Sequence, residues 1–224
     1  MVWGHIGGVS EVRKNLSDSR IAAGFFRPRW SRQIRVAGIY PLFIPANSPV
    51  LSLHVLLRLE RPADYATIRE VNLAAFGSSF EAGIIERLRD AGLVIASLVA
   101  VNAAGQIVGH ILFSPVTITP TGGNQIQVAS LAPMAVLPIH QRRGIGSMLV
   151  QRGIELCRAA GYSAVVVVGH PAYYPRFGFS HAVVAKLNNP FAADEAFMGI
   201  ELRPGALSEI DGQVIYPKAF NQSR

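Results

Sequence analysis

Residues 141–147 read QRRGIGS, two arginines and two glycines between unlike neighbours. The run before them, QVASLAPMAVLP (127–138), has the apolar, β-rich character of an extended strand. The run after them, MLVQRGIELCRAAG (148–161), reads as a helix. Ile145, Leu149, Gly153, Leu156 and Ala160 fall on one stripe at helical spacing. A helix pinned to a sheet by that stripe presents its first turn at the end of the strand. First-turn N–H groups have no acceptor within the helix and carry partial positive charge. Gly144 and Gly146 remove side chains that would keep an anion from those amides, and Arg142 and Arg143 add positive field. This is the chemistry of a pyrophosphate cradle; the plain alternative is a solvated turn. Two other nucleotide signatures do not fit. A Gly-Lys-Ser/Thr phosphate loop needs a lysine that is absent here, and Leu149 stands where a Gly-x-Gly-x-x-Gly fingerprint needs its third glycine.

The rest of the chain sets limits on what surrounds this junction. Half of the 224 residues are hydrophobic and only 16% are charged, enough for a sizeable core and unlike a disordered chain. There is no uninterrupted apolar run of about 18 residues, so no membrane span is expected. The nearest candidate, 39–57, is broken by Pro41, Pro45, Pro49 and His54. The single cysteine, Cys157, excludes an internal disulfide and fits a reducing, cytoplasmic setting.

The net charge of +7 is uneven. Before Arg58 there are seven Lys/Arg against two Asp/Glu; from Arg58 onward there are fourteen against twelve. Residues 1–53 hold this basic excess without helical or strand periodicity, and they lack the pattern of a secretory signal. They read as a loosely ordered basic extension rather than a targeting segment or a nucleic-acid arm. Nucleic acid is not an expected partner.

A domain is expected over 54–224. Residues 54–60 read as a strand, and 61–76 as a helix with Asp64 at its N-cap. Gly77, Ser78 and Ser79 break the pattern before a second helix that closes near Gly92. Residues 94–118 form two β-rich runs with a hairpin turn at 102–105. A long strand over 125–138, the junction, a helix to Ala160 and a buried strand AVVVV (164–168) follow. The tail holds short β-like pieces. Meandering strands imply antiparallel pairing, and the strand–helix–strand unit implies a parallel crossover. A mixed sheet with helices on both faces results.

At this point the sequence resembles a known family. LAPMAVLPIHQRRGIGSMLV (131–150) resembles the acetyl-coenzyme A motif of the GNAT acetyltransferases, Gln/Arg-x-x-Gly-x-Gly/Ala after a strand, matched by Gln141, Gly144 and Gly146. YYPRFGF (173–179) resembles the family's Tyr-x-x-x-Gly-Phe motif, and GHPAYYPRFGF (169–179) is similar to the YhbS-like branch of predicted N-acetyltransferases. The resemblance implies an α/β (α+β) fold with a mixed, mostly antiparallel sheet that splays into a V, flanked by helices on both faces. It implies acetyl-CoA as the acyl donor, no metal, and transfer to a primary amine of a small molecule or peptide by direct attack. The alternative is a non-catalytic acyl-CoA-binding sensor. Monomer and homodimer both remain open.

Carried over residue by residue, the resemblance sets the pantetheine arm against backbone groups of Met134, Ala135 and Val136. The pyrophosphate falls on amides of Arg142, Arg143, Gly144, Ile145, Gly146 and Ser147, behind Gln141. Tyr174 takes the family's frequent general-acid position, and Pro133 suits a bulge at the splay. The usual asparagine and longer helix before the tyrosine are missing; His170 stands there as a polar candidate. The long strand carries no acid, which leaves Glu81 as a candidate base from the acceptor side, or simply a first-turn acid favoured by the helix dipole. Cys157, Phe177 and Phe179 read as packing residues.

Overall fold

The computed structural model describes residues 55–191 and 194–221; the expected extension 1–53, with His54, lies outside the described residues. The described residues carry one sheet of eight strands: β1 (Leu56–Leu59), β2 (Ala96–Val101), β3 (Ile107–Pro120), β4 (Ile126–Val136), β5 (Ala164–Val168), β6 (Leu187–Asn188), β7 (Phe197–Glu201) and β8 (Gly212–Ile215). Three α-helices accompany it: α1 (Tyr65–Phe76), α2 (Phe80–Asp90) and α3 (Ile145–Ala159). The strand order is β1-β2-β3-β4-β5-β7, with β8 on the far end of β3 and β6 beside β8. Pairing is antiparallel except for β4 with β5 and β6 with β8. The parallel β4–β5 pair is the crossover made by α3, as the sequence order requires.

Helices cover both faces. On one, Ile145, Leu149, Val150, Ile154 and Cys157 of α3 pack on Leu98, Ile111, Phe113 and Val165. On the other, Ile68 and Val71 of α1 and Ile85 and Leu88 of α2 pack on Val99 and Leu112. A third cluster, with Val116, Ile118, Val128 and Val214, fills the lower half of the sheet.

The stripe on α3 is wider than the expected one and is centred on Gly153 and Cys157. Leu156 is only half-buried at its margin, and Ala160 lies past the last turn as the C-cap. Gly153 permits close approach, because a Cβ there would lie 2.0 Å from the Phe113 ring. Cys157 is fully buried, and burial pushes its thiol up to about 12, so it packs rather than reacts.

Asp64 stands at the expected N-cap position of α1, but its side chain does not cap that helix. Its carboxylate instead accepts the Arg61 N–H at 2.6 Å and pairs with the Arg58 guanidinium at 2.6 and 2.9 Å. A bidentate charged partner on β1 outcompetes a neutral amide of the next helix.

Candidate active site

The site begins where β4 and β5 part. They pair at Ala129–Val165, Ser130–Val166 and Leu131–Val167, and no further. On its other side β4 stays bonded to β3, but the register slips between Ile111↔Met134 and Phe113↔Leu131. One residue of β3, Leu112, thus faces two of β4, a bulge at Ala132 and Pro133, which are joined by a cis peptide bond. The expected splay at Pro133 is present.

Below the splay lies a cleft of about 440 Å³. Met134, Val136, Gln141, Arg142, Gly144, Ile145, Gly146, Ser147 and Tyr174 all line it. Two residues singled out from the sequence do not. Strand alternation turns Ala135, 2% exposed, into the α1/α2 layer. Arg143 is exposed and lies off the lining, between the left-handed residues Arg142 (φ 58°) and Gly144 (φ 85°).

The junction is tied back to the strand. Gln141 Nε2 donates to the Val136 carbonyl at 3.0 Å, fixing the turn against the end of β4. The two glycines do different work. Gly144 is the left-handed N-cap of α3, and a Cβ there would meet nothing within 4 Å, so it serves the backbone path. Gly146 serves space, since a Cβ there would come within 2.8 Å of Tyr173 Oη. The Tyr173 hydroxyl also bonds the Ser147 side chain, so it stands over the first turn of α3.

Tyr174 is wedged. It is 7% exposed, edge-on to Tyr173 at 5.1 Å and to Phe179 at 5.6 Å. A Cβ on Gly169 would lie 2.2 Å from its ring. Burial, and then the neighbouring Tyr173, push its phenol well above the usual value of 10. Tyr173 is also raised by burial, with the Ser147 bond and the Arg176 charge acting against the rise. The Arg176 guanidinium lies 4.7 Å over the Tyr173 ring, and its Nε donates to the Tyr173 carbonyl at 2.9 Å.

Sequence reasoning missed several lining groups. Nothing local marks Tyr173, Phe76, His140 or Arg176 as facing the cleft. His170, expected as a polar candidate, does line it.

A second, smaller pocket of about 70 Å³ opens on the α1/α2 layer. Its walls are Phe80, Glu81 and Ile84 from α2, Ser130 to Pro133 from β4, Val168 from β5, and Phe191, Tyr216 and Phe220 from the tail. Leu131, Ala132, Pro133 and Val168 line both pockets, so the two meet across the splay. Glu81, 8% exposed, thus faces this pocket rather than the main cleft.

This arrangement has known counterparts. Residues 57–182 match the family model of the acetyltransferase (GNAT) domain. The chain belongs to the GNAT acetyltransferase family. Among GNAT relatives, it is 35% identical to the uncharacterized N-acetyltransferase YhbS of Escherichia coli (strain K12), over 75% of this chain and 99% of that protein. The solved structure of E. coli YhbS, a complex with CoA, superposes with a TM-score of 0.70 at 33% identity, covering 80% of this chain and 98% of that one. A GNAT acetyltransferase from Brucella melitensis, in complex with acetyl-CoA, gives 0.62 at 37% identity over 75% and 99% of the two chains. The mixed, splayed GNAT fold expected from the sequence is the one found. Among the described residues no helix is long and apolar enough to cross a membrane, and no group of His, Cys, Asp or Glu is placed to hold a metal ion.

Proposed function

We propose that the main cleft binds acetyl-CoA and that the chain passes the acetyl group to a primary amine of a small molecule or peptide by direct attack. One observation carries this reading. The first turn of α3, the unpaired edge of β4 beyond Leu131, and the Tyr174 ring all open on one cleft. The residues present fit the donor. The first-turn amides lack helical acceptors and suit a pyrophosphate. Arg142 and Arg176 add positive charge on the lining, and Arg143 contributes only long-range field. Past Leu131, backbone groups of Met134, Ala135 and Val136 suit the pantetheine amides, which would pair as a further strand does. Solved relatives that hold CoA and acetyl-CoA support the same donor.

Acetyl-CoA supplies an activated acetyl thioester, whose sulfur gains a proton when the amine nitrogen takes the acetyl group and loses one. Tyr174 is the proton donor in this reading. Its raised phenol stays protonated through neutral pH. The apolar surroundings that raise the phenol also raise the proton affinity of a thiolate beside it, so donor and acceptor remain matched. The catalytic unit is assigned to 54–224, with 1–53 as an extension, and the cytoplasm as the setting that suits a lone reduced cysteine.

The test is release of CoA thiol from acetyl-CoA with and without an amine. Amine-dependent release by the wild type, lowered in Tyr174→Phe with acetyl-CoA affinity unchanged, is the expected result. Binding without release for any amine would mark a sensor instead.

A further inference from the structure

Glu60, Asp64 and Glu81 are all largely buried, yet they are compensated differently. Glu60 accepts from Arg89 Nε at 3.0 Å and Nη2 at 2.5 Å. Asp64 holds the Arg58 guanidinium at 2.6 and 2.9 Å. Glu81 has a hydroxyl in place of a cation: Ser78 Oγ donates to its Oε2 at 2.8 Å. Among the described residues no lysine or arginine forms an ion pair with it. A buried carboxylate without a counter-charge is costly, and a cationic ligand removes that cost.

The surroundings of Glu81 define what else the ligand must be. Phe80, Ile84, Phe191 and Phe220 give the pocket an apolar wall. The Tyr216 ring lies 4.8 Å from Phe191 and 5.1 Å from Phe220. Phe220 is held by Arg87 of α2, whose Nε donates to the Ala219 carbonyl at 2.8 Å. The other polar side chains of the wall, Tyr216 and Ser130, are already engaged. Tyr216 Oη accepts from Asn189 Nδ2 at 3.1 Å and bonds the Ser130 side chain. Glu81 is thus the charged anchor in an aromatic box that touches the donor cleft along Leu131, Ala132, Pro133 and Val168.

We infer that this pocket receives the acceptor, a small hydrophobic primary amine of the alkyl- or arylalkylamine class, with its ammonium group on Glu81. The inference rests on the acetyltransferase reading above. The lining offers a polyamine no second carboxylate, and an aminoglycoside would bury hydroxyls there without partners. A volume of about 70 Å³ suits a compact apolar body.

The experiment measures CoA release with phenethylamine, butylamine, putrescine, spermidine, kanamycin and a lysine-containing peptide, for the wild type, Glu81→Gln and Phe191→Asp. Acetyl-CoA titration and thermal melting accompany each protein. The two monoamines are expected to give the highest kcat/KM. Glu81→Gln is expected to raise the monoamine KM about tenfold or more, with a smaller change in kcat and unchanged acetyl-CoA affinity, since a lost charged pair of about 1.4 kcal/mol is a factor of ten. A purely structural role for Glu81 would lower the melting temperature without that KM change. Phe191→Asp adds a second carboxylate at the rim and is expected to move preference toward a diamine such as putrescine; it decides the matter if Glu81→Gln does not fold. Preference of the wild type for spermidine, kanamycin or the peptide overturns the inference, as does an unchanged KM in folded Glu81→Gln. Acetyl-CoA binding with no amine acetylated overturns the acceptor class alone, whereas failure of the folded wild type to bind acetyl-CoA overturns the reading beneath it.

Discussion

The two sides of the β4–β5 splay are built by different means. The donor side is mostly one continuous stretch, from Leu131 to Ser147, closed by residues from Val168 to Arg176. Its key features are backbone features: an unpaired strand edge, a left-handed Gly144, a Gly146 without a Cβ. The acceptor side is assembled from side chains of α2, β4, β5 and the tail, separated by up to 140 positions from Phe80 to Phe220. A site made of local backbone geometry needs particular residues at fixed spacing and leaves a motif. A site made of converging side chains can be rebuilt one residue at a time without disturbing the fold, and that freedom lets one fold serve many substrates.

The largest effect that would sharpen this contrast concerns the residue where chemistry meets the donor side. Tyr174→Phe is expected to lower kcat about 100-fold with little change in acetyl-CoA affinity, the usual size for loss of a general acid. The same residue makes a pH prediction. A phenol raised above 10 keeps its proton through that pH, so kcat should rise as the amine deprotonates and show no descending limb below about pH 10. A descending limb near pH 8 would remove Tyr174 from the role.

Next in size is a backbone position that acts through packing alone. Gly153→Ala sets a Cβ against the Phe113 ring and is expected to cost about 2 kcal/mol in denaturant unfolding, typical of overpacking. Gly144→Ala has open space around it and should cost only about 1 kcal/mol, from its left-handed backbone. Equal costs would break the distinction between a glycine kept for space and one kept for conformation.

The sequence made the donor side legible for the same physical reason. The stripe on α3 and the apolar, β-rich run before it marked the elements, and QRRGIGS marked the turn between them. Gln141, Gly144, Gly146 and Tyr174 were found because their spacing is short and rigid. Ala135 and Arg143 mark the limit of that reading. A motif names consecutive residues, but strand alternation sends every second side chain to the other face, and a tight turn points one arginine away from its neighbour. Tyr173 was missed because the Tyr-x-x-x-Gly-Phe spacing marks only Tyr174, whereas both rings line the cleft. Phe191, Tyr216 and Phe220 come together through the pairing of β8 with β3 and β6, the Asn189–Tyr216 bond and the Arg87 bond to Ala219, long-range contacts that leave no periodic trace. The tail reads from the sequence only as short β-like pieces, with no sign of which residues reach the pocket.

A smaller effect separates the two arginines. Arg142→Ala is expected to weaken acetyl-CoA binding about fivefold, in line with loss of about 1 kcal/mol, while Arg143→Ala should stay within about twofold. Calorimetric titration of each variant checks this, and equal losses would mean that field rather than contact governs the site.

The last effect appears only in acid and lies outside both pockets. Burial acts to raise the Glu60 carboxyl, but bonds from His110, Arg89 and Ser97 outweigh it and hold the group at about 2 instead of 4.5. Its folded value is depressed, so its contribution to stability is full above 4.5 and is lost as pH falls toward 2. Unfolding free energy should therefore decline across that window, in addition to the loss that begins below 6.5, where burial keeps the His110 imidazole neutral in the folded chain. Glu60→Gln should flatten the decline.

The central claim is that the first turn of α3 forms the floor of an acetyl-CoA site. The most direct test is calorimetric titration of acetyl-CoA into the wild type and into Gly146→Trp, with circular dichroism confirming that both are folded. Saturable one-to-one binding to the wild type and none to the variant is the predicted result. No binding to the folded wild type, or equal binding to both, would contradict it.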